Sequence, residues 1–70
     1  MRKMDVEEAI EKGIRLLEEK AGHYTHTLES VRLDGNVWIL RFDVGFLEER
    51  KVEVKISDDT GRLVSYERFK

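Results

Sequence analysis

The segment that most constrains the fold is residues 37–44, Val-Trp-Ile-Leu-Arg-Phe-Asp-Val, which holds the only Trp of the chain. Its even positions form an uninterrupted apolar row, whereas its odd positions change from apolar to charged. This alternation predicts a β-strand with one buried face and one half-exposed face. The turn residues Asp34-Gly35-Asn36 precede it and Gly45 follows it, so we expect a central strand of a small sheet.

Length and composition narrow the class of protein. Seventy residues make one domain, residues 1–70, and the chain has no Cys. Charged residues form 40% of the chain but the net charge is only −2, which argues against a nucleic-acid surface because that needs clustered basic residues. The lack of Pro and the many Lys, Arg and Glu residues are similar to thermophile composition. No apolar run has the length of a signal peptide or membrane span, so we expect a soluble, cytoplasmic protein without membrane contact.

A helix is predicted over residues 5–21. Asp5 and Glu8 fit a capping box, in which each side chain accepts from the backbone N–H of the other. Lys20 and Gly22 are typical of a helix end. Between the start and the end of this helix, apolar residues recur at spacings of three and four: Val6, Ile10, Ile14, Leu17 and Ala21.

Gly13 stands in the interior of this helix, on its apolar side. A glycine there costs about 1 kcal/mol relative to alanine. We therefore expect the helix backbone to pack closely against a large side chain at this point, and Trp38 is the candidate partner.

A hairpin is predicted before the central strand. Residues 26–33 form its first strand, and Asp34-Gly35 predicts a two-residue loop. This loop places Val31 opposite Trp38, and it puts Val31 and Leu33 on the buried face of the sheet.

The strand after the central one is predicted at residues 51–56, where apolar and charged residues alternate. Two registers keep the apolar faces together, and one of them sets like charges opposite each other. The other sets Arg41 opposite Glu53 and Asp43 opposite Lys51. Because opposite charges stabilise cross-strand pairs, we expect this second register.

The last turn is predicted at Asp58-Asp59-Thr60-Gly61, with Gly61 in the left-handed conformation and a three-residue loop with a bulge. This register sets Ile56 opposite Val64 and Val54 opposite Tyr66, whereas a four-residue loop would turn polar residues inward. The predicted fold is therefore α+β: one helix on one face of a four-stranded antiparallel meander (αββββ).

Apolar residues remain once this core is assigned. Phe46 and Leu47 lie in the predicted loop at residues 45–49, where they either pack under the helix end or contact a partner. Four more are predicted on the outer face of the sheet: Leu28, Val37, Ile39 and Leu63. A contiguous exposed apolar patch indicates an interface, so these six are the candidate binding residues for a protein partner or a second copy of the chain. An edge strand is the other predicted route to a homodimer.

Patterns of catalysis and metal binding are weak. His23 and His26 are followed by Glu29, but this spacing does not make three ligands converge, and there is no Cys or His-Glu-x-x-His pattern. The serines lie in or beside strands without a Gly-x-Ser-x-Gly elbow, and paired carboxylates lie on turns, where solvation is the default. We expect no enzyme, no metal and no cofactor.

Two family resemblances lie in the C-terminal part. Residues 56–64 resemble the hairpin of PepSY-type domains, with Ser57 where that family has Asp. A second pattern is similar to the Gly-x-Leu-Val-x-Tyr-x-Arg segment of the gas-vesicle accessory protein O family: Gly61, Leu63, Val64, Tyr66 and Arg68. Both resemblances imply a non-catalytic module that contacts other proteins, as an inhibitor-like domain or an assembly factor.

Two functions follow as hypotheses. The first is a small protein-interaction or assembly module. The second is nucleic-acid or small-ligand binding on the open sheet face, through Arg32, Arg41, Lys55 and Arg62. The balanced charge, and the absence of aromatic residues on the predicted exposed face, argue against the second.

Overall fold

The computed structural model describes residues 4–20, 22, 25–45 and 49–69. It contains one helix, α1 (Val6–Glu19), and four strands, β1 (Thr27–Asp34), β2 (Val37–Asp43), β3 (Lys51–Ser57) and β4 (Leu63–Phe69). The strands form an antiparallel sheet in the order β1-β2-β3-β4. This confirms the predicted αββββ fold. In the described part of the chain, no helix is long and apolar enough to cross a membrane.

Helix α1 begins as predicted. The Asp5 carboxylate accepts from the Glu8 backbone N–H at 2.8 Å, and the Glu8 carboxylate accepts from the Asp5 N–H at 3.4 Å. The helix ends at Glu19 with Lys20 as its C-cap, and Ala21, where the predicted helix ended, lies outside the described residues. Its buried positions recur every fourth residue and face β2 and β3: Ala9, Gly13 and Leu17.

Gly13 is a point of close packing, as predicted, but its partner is different. A Cβ atom on Gly13 would lie 3.1 Å from Cδ2 of Leu40 and 3.3 Å from Cε2 of Phe42. The prediction that Trp38 fills this position was wrong. Trp38 instead directs its indole N–H to Asp58 near the helix start, so the residues further along β2 meet the middle of α1.

The predicted register between the two central strands is confirmed. Arg41 lies opposite Glu53 and Asp43 lies opposite Lys51. The alternate residues of β2 and β3 form the core under α1 and are fully buried: Leu40, Phe42, Val52, Val54 and Ile56. The charged pairs lie on the other side of the sheet.

The first hairpin has a two-residue loop, but one residue later than predicted. Gly35 and Asn36 form the turn, with φ of +63° at Gly35, and Asp34 pairs with Val37. Val31 therefore lies opposite Leu40, and the prediction that it pairs with Trp38 was wrong. The shift moves the pairing by two residues, so side chains keep their predicted faces near the turn.

Further along β1, a β-bulge places the side chains on the face opposite to the predicted one. Leu28 pairs with Phe42 and Ser30 pairs with Arg41, which leaves Glu29 as the extra residue. Leu28 therefore packs against the core. The prediction that Leu28 lies on the outer face was wrong, because an inserted residue exchanges the two faces of the strand beyond it.

The last hairpin combines the two alternatives that the sequence offered. Ser57 donates its backbone N–H to the Arg62 carbonyl at 2.9 Å, which closes a four-residue loop containing Gly61 at φ +71°. A bulge at Val64 then restores the register predicted for the three-residue loop, so Val54 pairs with Tyr66 as expected.

The same bulge changes the position of Leu63. Ile56 pairs with Leu63 and not with Val64, so the predicted pairing of Ile56 was wrong. Directly opposed residues share a face of the sheet, so Leu63 belongs to the helix side. The prediction that it lies on the outer face was also wrong, although 41% of Leu63 is exposed.

Candidate binding face of the sheet

The outer face is the side of the sheet directed away from α1, and no described element covers it. It is formed by alternate residues of the four strands: Thr27, Ser30, Arg32, Asp34, Val37, Ile39, Arg41, Asp43, Lys51, Glu53, Lys55, Ser57, Ser65, Glu67 and Phe69. Two residues at its centre, Ile39 and Glu53, are each only 8% exposed. Water therefore reaches little of either residue.

Of the four residues predicted on the outer face, two lie there. Val37 is half-buried there and Ile39 is nearly buried. Phe46 and Leu47 lie outside the described residues. With Leu28 and Leu63 on the helix side, the predicted contiguous apolar patch does not form, and that prediction was wrong.

Phe69 is the residue that the sequence reasoning missed. It pairs with Lys51 on the outer face and is 38% exposed. The guanidinium carbon of Arg41 lies 5.3 Å from the centre of its ring, in range of a cation–π contact. The predicted absence of aromatic residues on the exposed face was wrong. The sequence could have predicted this position. The pair of Val54 and Tyr66 was predicted correctly, and Phe69, three residues after Tyr66, must then lie on the opposite face.

The charged groups at the centre of the outer face form a small network. The Glu53 carboxylate lies 3.4 Å from Nη2 of Arg41 and 3.9 Å from Nζ of Lys55. Arg32 forms no ion pair with any residue that the structure describes. Cations therefore outnumber anions around Ile39, which lies opposite Arg32 on one side and Lys55 on the other.

A second network lies at the end of the face near the loop between β2 and β3. The Asp43 carboxylate accepts from the backbone N–H groups of Gly45 at 3.0 Å and Arg50 at 3.1 Å, and these bonds lower the pKa of Asp43. Lys51 donates to the Glu29 carboxylate across β2, and this hydrogen bond raises the pKa of Lys51. The charged groups at this end of the face are therefore already bound to backbone N–H groups or to each other.

A shallow depression lies between the two arginines of β1 and β2. We call it the arginine pocket; it has a volume of about 180 Å³ and is lined by Ser30, Arg32, Ile39, Arg41 and Glu53. Ile39 and Glu53 are its buried members. Both arginines are exposed residues, and half of the Arg41 side chain is open to solvent. It is a polar site of the size of a small anionic group.

A separate polar centre lies at the start of the helix. Asp58 is 2% exposed, and its Oδ1 accepts from the indole N–H of Trp38 at 2.8 Å and from the Met4 N–H at 3.1 Å. Its backbone N–H donates to the Asn36 carbonyl at 2.8 Å. The expectation that this turn carboxylate is solvated was wrong, because the first hairpin and the helix start enclose it. Its Oδ2 has no hydrogen-bond partner among the described residues.

A cleft of about 170 Å³ opens beside Asp58, between the last turn and α1. Its wall includes Glu8 and Lys12 from the helix and Thr60 and Gly61 from the turn. The Lys12 side chain packs against Gly61, where a Cβ atom would lie 3.4 Å from the Lys12 Nζ. The cleft therefore carries both signs of charge.

The histidines give little support for a metal site. His26 Nε2 lies 3.1 Å from the Glu18 carboxylate, and its ring meets Phe42 edge-on at 6.1 Å between centroids. His23 lies outside the described residues. Over the part of the chain that the structure describes, no group of three or more His, Cys, Asp or Glu side chains is placed to hold a metal ion.

No protein-family model, no curated protein and no solved structure matches this chain. The resemblances to PepSY domains and to the gas-vesicle accessory protein O family stay predictions.

Proposed function

We propose that this chain is a small, non-catalytic protein-interaction or assembly module that binds its partner through the outer face of the sheet. The observation that carries the proposal is the contact of Arg41 with the exposed Phe69 ring on an uncovered sheet. Aromatic and arginine side chains are the residues most enriched in the energetically important centres of protein interfaces. Both family resemblances imply the same class of function.

The edge strands are the less suitable surfaces for such a partner. β1 carries a bulge at Glu29 and β4 carries one at Val64. A bulge interrupts the hydrogen-bonding ladder and twists the strand, which is a common protection against pairing with another chain. Side chains of the outer face are therefore the better candidates than a strand added at either edge.

Site-specific photo-crosslinking tests the proposal. A benzophenone amino acid replaces Phe69 in one sample and the exposed helix residue Glu11 in another, and both chains are irradiated in cells that express them. We expect crosslinked products from position 69 that an excess of unlabelled chain suppresses, and none of these products from position 11. The same products from both positions, or none from position 69, would refute an outer-face interface. The mass of each product distinguishes a second copy of this chain from another protein.

A substitution should then weaken the complex so identified. Phe69→Ala removes an exposed aromatic anchor, and we expect about a tenfold loss of affinity. Val64→Ala is the matched control, since Val64 is an exposed apolar residue of the same strand in its bulge. Ile39→Asp is unsuitable, because Ile39 is 8% exposed and a buried carboxylate there would unfold the sheet. Equal affinity of the Phe69 variant and the unmodified chain would show that the aromatic ring is not part of the interface.

Nucleic-acid binding on the same face is the second candidate. Phe69 beside Arg41 favours it, because base stacking needs an exposed ring and nearby cations. The carboxylates distributed over the face oppose it, since a phosphate chain would pass close to them: Asp34, Asp43, Glu53 and Glu67. An oligonucleotide is therefore included as a ligand in the experiment below.

A further inference from the structure

We propose that the arginine pocket binds a carboxylate side chain, Asp or Glu, from an acidic segment of the partner protein. This inference rests on the proposed function and names the partner chemistry that the outer face recognises. It is carried by the positions of Arg32 and Arg41, by the charges around Ile39, and by the shape of the depression between them.

The strand register brings the two arginines together. Arg32 pairs with Ile39, and Arg41 pairs with Ser30, so the two arginines are diagonal neighbours on adjacent strands. Their side chains leave the same face of the sheet and flank one depression of about 180 Å³. The nearly buried Ile39 also lines it. A carboxylate between two guanidinium groups accepts several charge-assisted hydrogen bonds.

The described residues do not balance the charges of the pocket. Glu53 is the only carboxylate among the described residues that line it, and Arg41 and Lys55 already lie beside it. Arg32 has no ion-pair partner among the described residues. Arg41 donates to a described residue through Nη2 alone, to Glu53 at 3.4 Å, so most of its N–H groups remain for a ligand. An incoming anion would relieve the repulsion between the arginines.

The surroundings favour a single carboxylate over an anionic chain that extends across the face. Asp34 continues β1 beyond Arg32, and Glu67 pairs with Glu53 on the far side. An anionic chain that extends over the face would meet both. An acidic side chain that enters between the arginines avoids them.

The test is a titration of the ¹⁵N-labelled chain followed by NMR. The ligand is an acetylated tetraglutamate amide, and the tetraglutamine peptide of the same length is its neutral control. We expect shifts of the Ser30, Arg32 and Arg41 signals with tetraglutamate alone. Arg32→Gln should weaken binding about threefold, as expected for an exposed ion pair, and the double change with Arg41→Gln should abolish it.

Arg62→Gln is the matched control for lost charge, because Arg62 is exposed in the last turn outside the pocket. We expect it to leave the affinity for tetraglutamate unchanged. An equal loss in the Arg62 variant would show diffuse electrostatic attraction and would overturn the pocket. Each variant spectrum also reports whether the fold is retained.

Other ligands separate this inference from the proposed function. Tighter binding of inorganic phosphate at the same signals would replace the carboxylate by a phosphorylated group. Tighter binding of a thymidine oligonucleotide would overturn the pocket and the protein-interaction function together. Absence of shifts at the pocket up to the solubility limit of the peptide would overturn the pocket alone, since the outer-face interface is judged by crosslinking at position 69.

Discussion

At the scale of single residues, Asp58 connects parts of the chain that are distant in sequence. Its side chain binds the helix start at Met4 and the indole of Trp38, and its backbone N–H binds Asn36 in the first hairpin. The carboxylate is nearly inaccessible to water, so the donors that it satisfies would be left without partners if it were removed. Asp58 therefore stabilises the arrangement of helix and turns.

Asp58→Ala should destabilise the protein by about 2–4 kcal/mol, because two N–H groups lose their acceptor. Asp58→Asn keeps an acceptor oxygen and should cost less. Asp59→Ala is the control, since Asp59 is the exposed neighbour in the same turn, and it should change the free energy of unfolding by no more than about 0.5 kcal/mol. Urea denaturation followed by Trp38 fluorescence measures all three. Similar losses at positions 58 and 59 would contradict the role of the buried carboxylate.

A substitution at Gly13 tests whether the core beneath the helix can adjust to a larger side chain. Alanine improves helix propensity by about 1 kcal/mol, but its Cβ would press on Leu40 and Phe42, which are fully buried against the sheet. Overpacking of this kind costs about 1–3 kcal/mol. We expect Gly13→Ala to lower the free energy of unfolding by about 1 kcal/mol in chemical denaturation. An increase would show that the two side chains move aside.

At the scale of elements, the predictable parts of the fold are those determined by local pattern. The capping box and apolar spacing located α1, and the alternation with its charges determined the pairing of β2 with β3. Each of these depends on residues close in sequence or on a choice between two registers with different charge pairs. Close contacts of Gly13 were also expected, but its partners depend on where along β2 the helix crosses.

The bulges were not predictable from alternation. Glu29 and Val64 each sit in a run of residues that reads equally well without an insertion. One inserted residue exchanges the faces, which moved Leu28 and Leu63 from the predicted outer face to the helix side. The arginine pocket was missed for another reason. Arg32 and Arg41 were predicted as cations of the open face, but their diagonal positions on adjacent strands follow from a turn one residue later than predicted.

The charge pairs between β2 and β3 can be tested by exchange. Arg41→Glu places a second carboxylate beside the nearly buried Glu53, and we expect a loss of about 1 kcal/mol. The double variant with Glu53→Arg restores opposite charges and should recover most of this loss. Thermal or urea unfolding of the four chains gives the coupling free energy directly. A coupling near zero would mean that the apolar residues alone determine the register.

The hydrogen-bonded carboxylate of Asp43, at the loop between β2 and β3, should make the stability of the protein depend on pH. Hydrogen bonds from Gly45 and Arg50 hold the pKa of Asp43 below its usual value, so the carboxylate is favoured in the folded state. Its contribution is present above the unfolded-state pKa and is lost as the pH falls through the lower, folded-state pKa. Between neutral pH and about pH 2, Asp43→Asn should therefore lose less stability than the unmodified chain. Parallel curves of unfolding free energy against pH would contradict this.

At the scale of the whole molecule, the two sides of the sheet have different roles. The helix side contains the fully buried residues and provides the stability of the fold. The outer face carries charges and one aromatic ring without a covering layer of described residues. Substitutions of its exposed residues should therefore change binding more than stability. The centre of the face is the exception, because Ile39 and Glu53 are nearly buried.

Since the helix side contains a single core, the protein should unfold in one step. A helix of 14 residues is marginal in water by itself, and without it the apolar face of the sheet would be exposed. For 70 residues we expect a free energy of unfolding of about 4–10 kcal/mol. Far-UV circular dichroism reports α1, and fluorescence reports Trp38 beside Asp58, so the two urea transitions should coincide. Loss of the helical signal before the fluorescence change would show that α1 detaches from a sheet that remains folded.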